Sequence, residues 1–251
     1  MTPSAPDIVA LELISTRAWP AARQAAIGGW RLHASSGFSG RINACWPLED
    51  PGLPLGDAVA AVEDWHRSRG IPSLFKLVES ACAPTGLVEH LSARGYRPRT
   101  ETVMMVGAVG GVRDPGVMLG EAVDDTFAAV FASTSTDPGD TRERLETLAR
   151  IPAPRAFGRL DVDGVPAAIG ACAVEGDWAG VFAMRTDPAH RRKRLAWRVL
   201  GSLLGAAAGA GATRAWLQVE ADNSGAIVLY RAAGFEEAYR YRYWTREALR
   251  S

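Results

Sequence analysis

Cysteine is scarce in this chain. Cys45, Cys82 and Cys172 are odd in number and none stands at metal-ligand spacing, so the expectation is three reduced thiols in a cytoplasmic protein. The four histidines, His33, His66, His90 and His190, are scattered without a His-x-x-x-His pair, and no metal site is expected. No segment supplies the roughly 20 apolar residues that a bilayer span needs. No membrane partner is expected, and Asp7 and Glu12 interrupt the stretch from Met1 to Trp19, which argues against a secretory signal. Net charge is absent too. With 28 basic and 28 acidic residues, nothing draws the chain over long range to nucleic acid or an anionic surface. The G-x-S-x-G pattern is missing, and neither Ser39-Gly40 nor Ser224-Gly225 replaces it, so a hydrolase triad has no support. What is present is 251 residues, 47% hydrophobic and 22% charged, enough for the core of one large or two modest globular domains.

The most informative stretch runs from Trp178 to Phe235. Trp178 to Met184 mixes aromatic and branched apolar residues and stops at Thr186-Asp187-Pro188, which predicts a buried strand ending in a turn. His190-Arg191-Arg192-Lys193-Arg194 follows. Then Leu195, Val199 and Leu203, beside Ala196, Leu200 and Leu204, predict a helix with one wide apolar face. Cations at a helix N-terminus oppose the macrodipole at roughly 0.3–1 kcal/mol each, so an anion is expected there. Phosphate suits the free N–H groups of a strand–turn–helix unit. A solvated basic patch is the competing reading, and a nucleic-acid contact is disfavoured by the balanced charge. Further on, Ala215 to Val219 predicts a second buried strand. Asn223 to Phe235 predicts a helix capped by Asn223 and closed by Gly234.

Thr186 to Ala196, followed by Asn223, Ala226, Leu229-Tyr230 and Gly234-Phe235, resembles the GNAT superfamily of N-acetyltransferases. The resemblance implies that the backbone of the Arg191, Arg194, Leu195 and Ala196 loop, with Arg192 and Lys193 between, holds the pyrophosphate of acetyl-CoA. It implies that main-chain groups of Met184, Arg185 and Thr186 pair with the pantetheine arm, that Asn223 contacts the same molecule, and that Tyr230 stands near its sulfur. A phenol there can protonate the leaving thiolate. One position departs from the family pattern: Arg194 stands where the family has glycine. Because it opens a helix, ordinary helical backbone is expected for it.

In the first half, Ile8 to Ile14 reads as a strand and the residues to Ala26 as a short helix. Gly28 to His33 and Gly40 to Trp46 read as strands about a Ser35–Gly40 turn, Leu55 to Arg69 as a helix, Leu74 to Val78 as a strand and Gly86 to Arg94 as a helix. Leu87 to Tyr96 aligns with Ala226 to Phe235, and the strand before each also lines up, which suggests a hidden copy; the common grammar of strand–helix units is the alternative. Leu91 stands opposite Tyr230 and Pro84 opposite Asn223, while Glu49, Asp50 and Asp57 replace the basic loop, so the copy is read as degenerate. The expected organisation is a degenerate GNAT-like domain over 1–106, a glycine-rich linker over 107–116, and an acetyl-CoA-binding GNAT domain over 117–251. The second domain reads as a strand over Val117–Val123, helices over Asp124–Ser133 and Thr141–Ile151, a hairpin over Ala156–Val162 and Ala167–Glu175, and a final strand over Tyr239–Trp244.

The fold class that follows is α/β, a mixed β-sheet flanked by helices in two tandem GNAT-like domains. The functional expectation is an acetyl-CoA-dependent N-acyltransferase working by direct attack of a small-molecule or peptide amine in a ternary complex. The alternative is a catalytically weak acyl-CoA-binding or regulatory module. Glu220 is the first choice of general base and Glu175 the second, with a base acting through water equally open.

Overall fold

The computed structural model of the chain describes residues 5–246. The ends of the two expected domains, residues 1–4 and 247–251, lie outside the described residues. In chain order the elements are α1 (Ala5–Ala18), β1 (Arg23–Ile27), β2 (Trp30–Ala34), β3 (Cys45–Pro47), α2 (Leu55–Arg67), β4 (Leu74–Leu77), α3 (Leu87–Ala93) and β5 (Arg97–Ala108). They continue with β6 (Val117–Gly120), α4 (Asp125–Ser133), α5 (Pro138–Arg150), β7 (Arg155–Val162), β8 (Val165–Glu175) and β9 (Trp178–Thr186). Then come α6 (Leu195–Gly209), β10 (Arg214–Glu220), α7 (Ser224–Ala232) and β11 (Glu236–Thr245). Two compact units result. The first holds the chain to Val103, Glu220–Asp222 and the segment from Tyr239 onward; the second holds Met104–Val219 and Asn223–Ala238. Strands β5 and β11 therefore contribute residues to both.

In the first unit the strand order is β1-β2-β3-β4-β11, antiparallel except for the parallel β3–β4 pair. Its core gathers Trp30, Phe75, Leu77 and Tyr96 with Val59 and Val62 of α2 and Leu87 and Leu91 of α3. The sequence reading fails at the start of this unit. Ile8 to Ile14 belongs to α1, whose buried positions include Ile8, Leu11, Glu12, Ser15 and Thr16, a helical period in which a glutamate faces inward. Reading Glu12 as an outward residue hides that period. Lys76 Nζ makes an ion pair with Glu12 Oε2, and the Tyr239 hydroxyl donates to Glu12 Oε1 at 2.7 Å. The same ammonium lies 3.7 Å from the Trp46 ring centroid and 4.0 Å from that of Tyr241. A buried charge survives only when so matched.

The residues to Ala26 are likewise not a helix beyond Ala18. Arg23 to Ile27 pairs with β2 across the two-residue Gly28-Gly29 loop, a hairpin signal that the helical reading passed over. Gly40 to Ile42 forms a 3-10 turn, which shortens the expected second strand to Cys45–Pro47. Strand β5 had no counterpart in the sequence reading: Arg97 to Thr100 are exposed, and only Thr102 to Met105 are buried, too few to show alternation.

In the second unit the order is β10-β9-β8-β7-β6, antiparallel but for the parallel β9–β10 pair. Both units are thus mixed sheets flanked by helices, as expected. Helix α4 is capped by Asp124, which accepts from Phe127 N–H at 2.6 Å, and α5 by Asp137, which accepts from Asp140 N–H at 2.8 Å. Helix α6 buries Leu195, Val199, Leu200, Leu203 and Leu204. Gly158 and Gly170 make room for it: a Cβ at either would lie 3.3 or 3.1 Å from Val199 Cγ1. No helix among the described residues is long and apolar enough to cross a membrane.

Candidate active site

The site begins with an irregularity in β9. Ala171 pairs with Phe182 and Ile169 with Arg185, so Ala183 and Met184 together stand opposite Gly170. This is a β-bulge, and Ala183 takes a φ of 52° to make it. Gly170 leaves room for the Met184 side chain, whose Sδ would lie 2.4 Å from a Cβ there. The parallel pairing of β9 with β10 runs from Trp178↔Arg214 to Val181↔Leu217 and ends there. Both strands continue, β9 to Thr186 and β10 to Glu220, without pairing to each other. An opened strand pair of this kind offers main-chain donors and acceptors to an extended ligand.

Beyond Thr186 the chain turns. Asp187 caps a 3-10 turn over Pro188–His190, accepting from Ala189 N–H at 2.9 Å. Arg192 and Arg194 then both adopt positive φ, 60° and 58°. Arg194 is the N-cap of α6 in the left-handed region, with ψ 18° and no side-chain cap bond. The expected helical backbone is therefore incorrect at this position. The loop geometry is the one glycine adopts freely, and arginine is held in it by the turn on one side and the helix on the other. Among the described residues, the backbone N–H groups of Arg192 to Trp197 have no hydrogen-bond partner, and the first to be satisfied is Arg198 N–H, by Arg194 C=O at 3.2 Å. Arg191, Arg192, Lys193 and Arg194 are exposed and, among the described residues, none is ion-paired. Unsatisfied amides and unpaired cations at one helix start suit an anion chemically.

A left-handed non-glycine residue costs roughly 1–2 kcal/mol, partly offset by the roughly 0.5–1 kcal/mol of extra chain entropy glycine brings. Arg194→Gly is accordingly expected to raise the melting temperature of the second unit by a few degrees in a thermal melt. A lowered melting temperature would show that the Arg194 side chain stabilises the loop by more than its backbone costs.

Leu195 and Ala196 form the first turn of α6, with Leu195 buried. Asn223 caps α7 as expected, its Oδ1 accepting from Ala226 N–H at 3.1 Å; this leaves the side-chain amide N–H groups for a ligand. Gly234 closes the helix at φ 86°. Tyr230 is buried in α7, its ring edge-on to Phe235 at 6.1 Å. Burial pushes its phenol up to about 12, and the nearby Arg185 guanidinium acts in the opposite direction. The Arg185 guanidinium itself lies over the Phe131 ring, 5.1 Å from its centroid, and reaches Tyr230 only through its charge. That side-chain role of Arg185 was not foreseen, and nothing local in the sequence signals it. The bulge was also missed, although an isolated glycine inside a strand, here Gly170, is its one-dimensional marker.

Of the candidate bases, Glu220 is the exposed last residue of β10. Glu175 lies at the β8–β9 turn opposite Trp178, about 20 Å along β9 from Met184 at the usual strand rise. That position removes Glu175 from the end of β9 that carries the anion loop. Cys172 is buried, its Sγ directed to Leu203 C=O at 3.6 Å, and burial pushes its thiol up to about 11. A buried, protonated thiol is a poor nucleophile.

Residues 5–244 match the family model described as probable histone acetyltransferase Rv0428c, C-terminal. The chain is 26% identical over 245 residues to the uncharacterized N-acetyltransferase YobR of Bacillus subtilis (strain 168), covering 94% of this chain and 98% of that protein. It is 27% identical over 241 residues to the probable histone acetyltransferase Rv0428c of Mycobacterium tuberculosis, covering 94% and 73%. Among solved structures, a GCN5-related N-acetyltransferase from Kribbella flavida aligns over 100% of both chains with a TM-score of 0.69 at 20% identity, a likeness of fold. With the family model spanning nearly all of the chain, and with the bulged strand, the glycine-like anion loop and the capped α7 helix in place, this protein belongs to the Rv0428c C-terminal family of the GNAT N-acetyltransferases.

Proposed function

We propose that the second unit transfers the acetyl group of acetyl-CoA to an amine by direct attack, with both substrates bound at once. One observation carries this reading: β9 and β10 part after Val181 and Leu217, and β9 leads directly into a loop of unpaired amides and cations. The residues fit the molecule. The amides of Arg192 to Trp197 suit a pyrophosphate, and Arg191 to Arg194 add charge-assisted bonds. Main-chain groups of Met184, Arg185 and Thr186 suit the amides of a pantetheine arm, and the Asn223 side chain adds a polar contact. The bound thioester supplies an activated acyl carbon and a thiolate leaving group.

The chain's own groups then have defined tasks. A strand N–H near Met184 polarises the acyl carbonyl as negative charge develops on its oxygen. As the amine nitrogen bonds to the carbonyl carbon and the C–S bond breaks, Tyr230 gives its phenolic proton to the sulfur. The raised phenol keeps that proton at neutral pH, and Arg185 stabilises the phenolate left behind. A base acting through water takes the proton the amine loses. The inert Cys172 supports direct transfer over an acyl-enzyme.

The first unit is read as a degenerate copy without a cofactor site. Leu91 is packed in its core where the second unit has Tyr230. Its acidic loop is filled by its own hairpin, since Gly29 N–H donates to Asp50 C=O at 2.7 Å and a Cβ on Gly28 would lie 2.3 Å from Pro51 O. The left-handed Arg194 favours one second reading, an acyl-CoA-binding module of low turnover. The two are separated by incubating the protein with acetyl-CoA and a panel of small-molecule amines and peptides while following free thiol. Amine-dependent thiol release is expected. Binding of acetyl-CoA without transfer to any amine would favour the module.

A further inference from the structure

Beside the anion loop, α6 carries a groove of ≈ 360 Å³ walled by Gly111 and Val112 of the segment before β6, by Trp197, Gly201 and Leu204 of α6, and by Ala232. Its volume falls within the roughly 300–1,000 Å³ of small-molecule sites. The wall is built in advance. Gly111 runs against Gly201 so closely that a Cβ would lie 2.4 Å from Gly201 O. Asp114 then ties the segment to α6: its carboxylate accepts from Arg198 at 2.6 and 2.9 Å, and its N–H donates to Ser202 Oγ at 2.9 Å.

Two large apolar side chains remain uncovered at this groove, Trp197 at 43% exposure and Val112 at 88%. Arg198, the one cation lining it, is already neutralised by Asp114. The groove therefore suits a flat, uncharged, π-faced group and not a phosphate. Its position says which group. Trp197 is the third residue of α6, so its own N–H belongs to the unpaired set at the anion loop while its indole lines the groove. A ligand whose phosphates rest on those amides, and which carries a base one sugar away, would lay that base within about one helical turn, 5.4 Å, of the loop.

We infer that Trp197 is the stacking platform for the adenine ring of CoA, with the Gly111-Val112 segment as the facing wall. The inference rests on the acyl-CoA reading above and adds the residue by which this chain recognises the nucleotide end. A base–aromatic stack is worth roughly 1–3 kcal/mol, about 5- to 150-fold in affinity.

Calorimetry on the full chain tests it with acetyl-CoA and with S-acetyl-4′-phosphopantetheine, which lacks the adenosine end. Trp197→Ala is expected to weaken acetyl-CoA by about 5- to 150-fold while leaving the truncated thioester unchanged, with Trp197→Phe between wild type and Ala. Adenosine 3′,5′-bisphosphate should quench tryptophan fluorescence in wild type and lose most of that effect in Trp197→Phe. Equal weakening of both thioesters would overturn the inference, because it would place the effect at the helix start. Unchanged acetyl-CoA affinity would also overturn it and leave the groove to an apolar peptide side chain. A wild type that bound neither thioester would instead remove the acyl-CoA reading and this inference with it. Trp197 is substantially exposed, so an unchanged melting temperature checks that each variant folds.

Discussion

Tyr230→Phe is expected to lower kcat by about 10²–10⁴ while KM for acetyl-CoA changes little. The substitution removes one hydroxyl and keeps the ring that packs edge-on to Phe235, so folding and ligand affinity have no reason to shift. A positioned general acid contributes roughly 10²–10⁴ in rate, and its loss appears where the interaction exists only in the transition state. The environment supports this role. Burial raises the phenol to about 12, and the charge of Arg185 acts in the opposite direction. Thiol release by wild type and variant, with the chemical step shown to limit the rate, is the measurement. Equal turnover would remove Tyr230 from the reaction.

The second large effect is electrostatic. Reversing charge at Arg191 and Arg192 together is expected to weaken acetyl-CoA binding by roughly 10²–10⁴-fold, taking two charge-assisted hydrogen bonds at roughly 1.5–3 kcal/mol each. Both side chains are exposed, and among the described residues neither holds an ion pair whose loss would disturb the fold. Neutralising Glu49 and Asp50 should leave affinity nearly unchanged, because their loop is closed by its own hairpin. Titration calorimetry on both double variants compares the units directly. Comparable losses would mean that the first unit also binds the ligand.

Much of this architecture is legible in one dimension, and the exceptions have physical causes. The helix over Leu55–Arg67, the hairpin of β7 and β8, and the strand–loop–helix of β9 and α6 are visible because their apolar patterns are regular and turn residues bound them. Helix α1 is not, because its inward face includes Glu12, whose partners Lys76 and Tyr239 come from distant parts of the chain. Strand β5 is hidden because four of its residues are exposed before any is buried. In the candidate site the basic run and the Asn223 cap could be read directly. The left-handed Arg194 could not, since it is set by the neighbouring turn and helix and not by local propensity, and the bulge at Ala183 is marked only indirectly, by Gly170 on the partner strand.

Titration calorimetry of the wild-type chain with acetyl-CoA, joined to a thermal melt at the same ligand concentrations, bears most directly on the central claim. One molecule is expected to bind per chain through the opened β9–β10 pair and the anion loop. Because a ligand selective for the folded state stabilises it by mass action, the melting temperature should rise with concentration, by about 2.7 kcal/mol of stability at a hundred times Kd. The contrary result is absence of heat and of any thermal shift at millimolar acetyl-CoA.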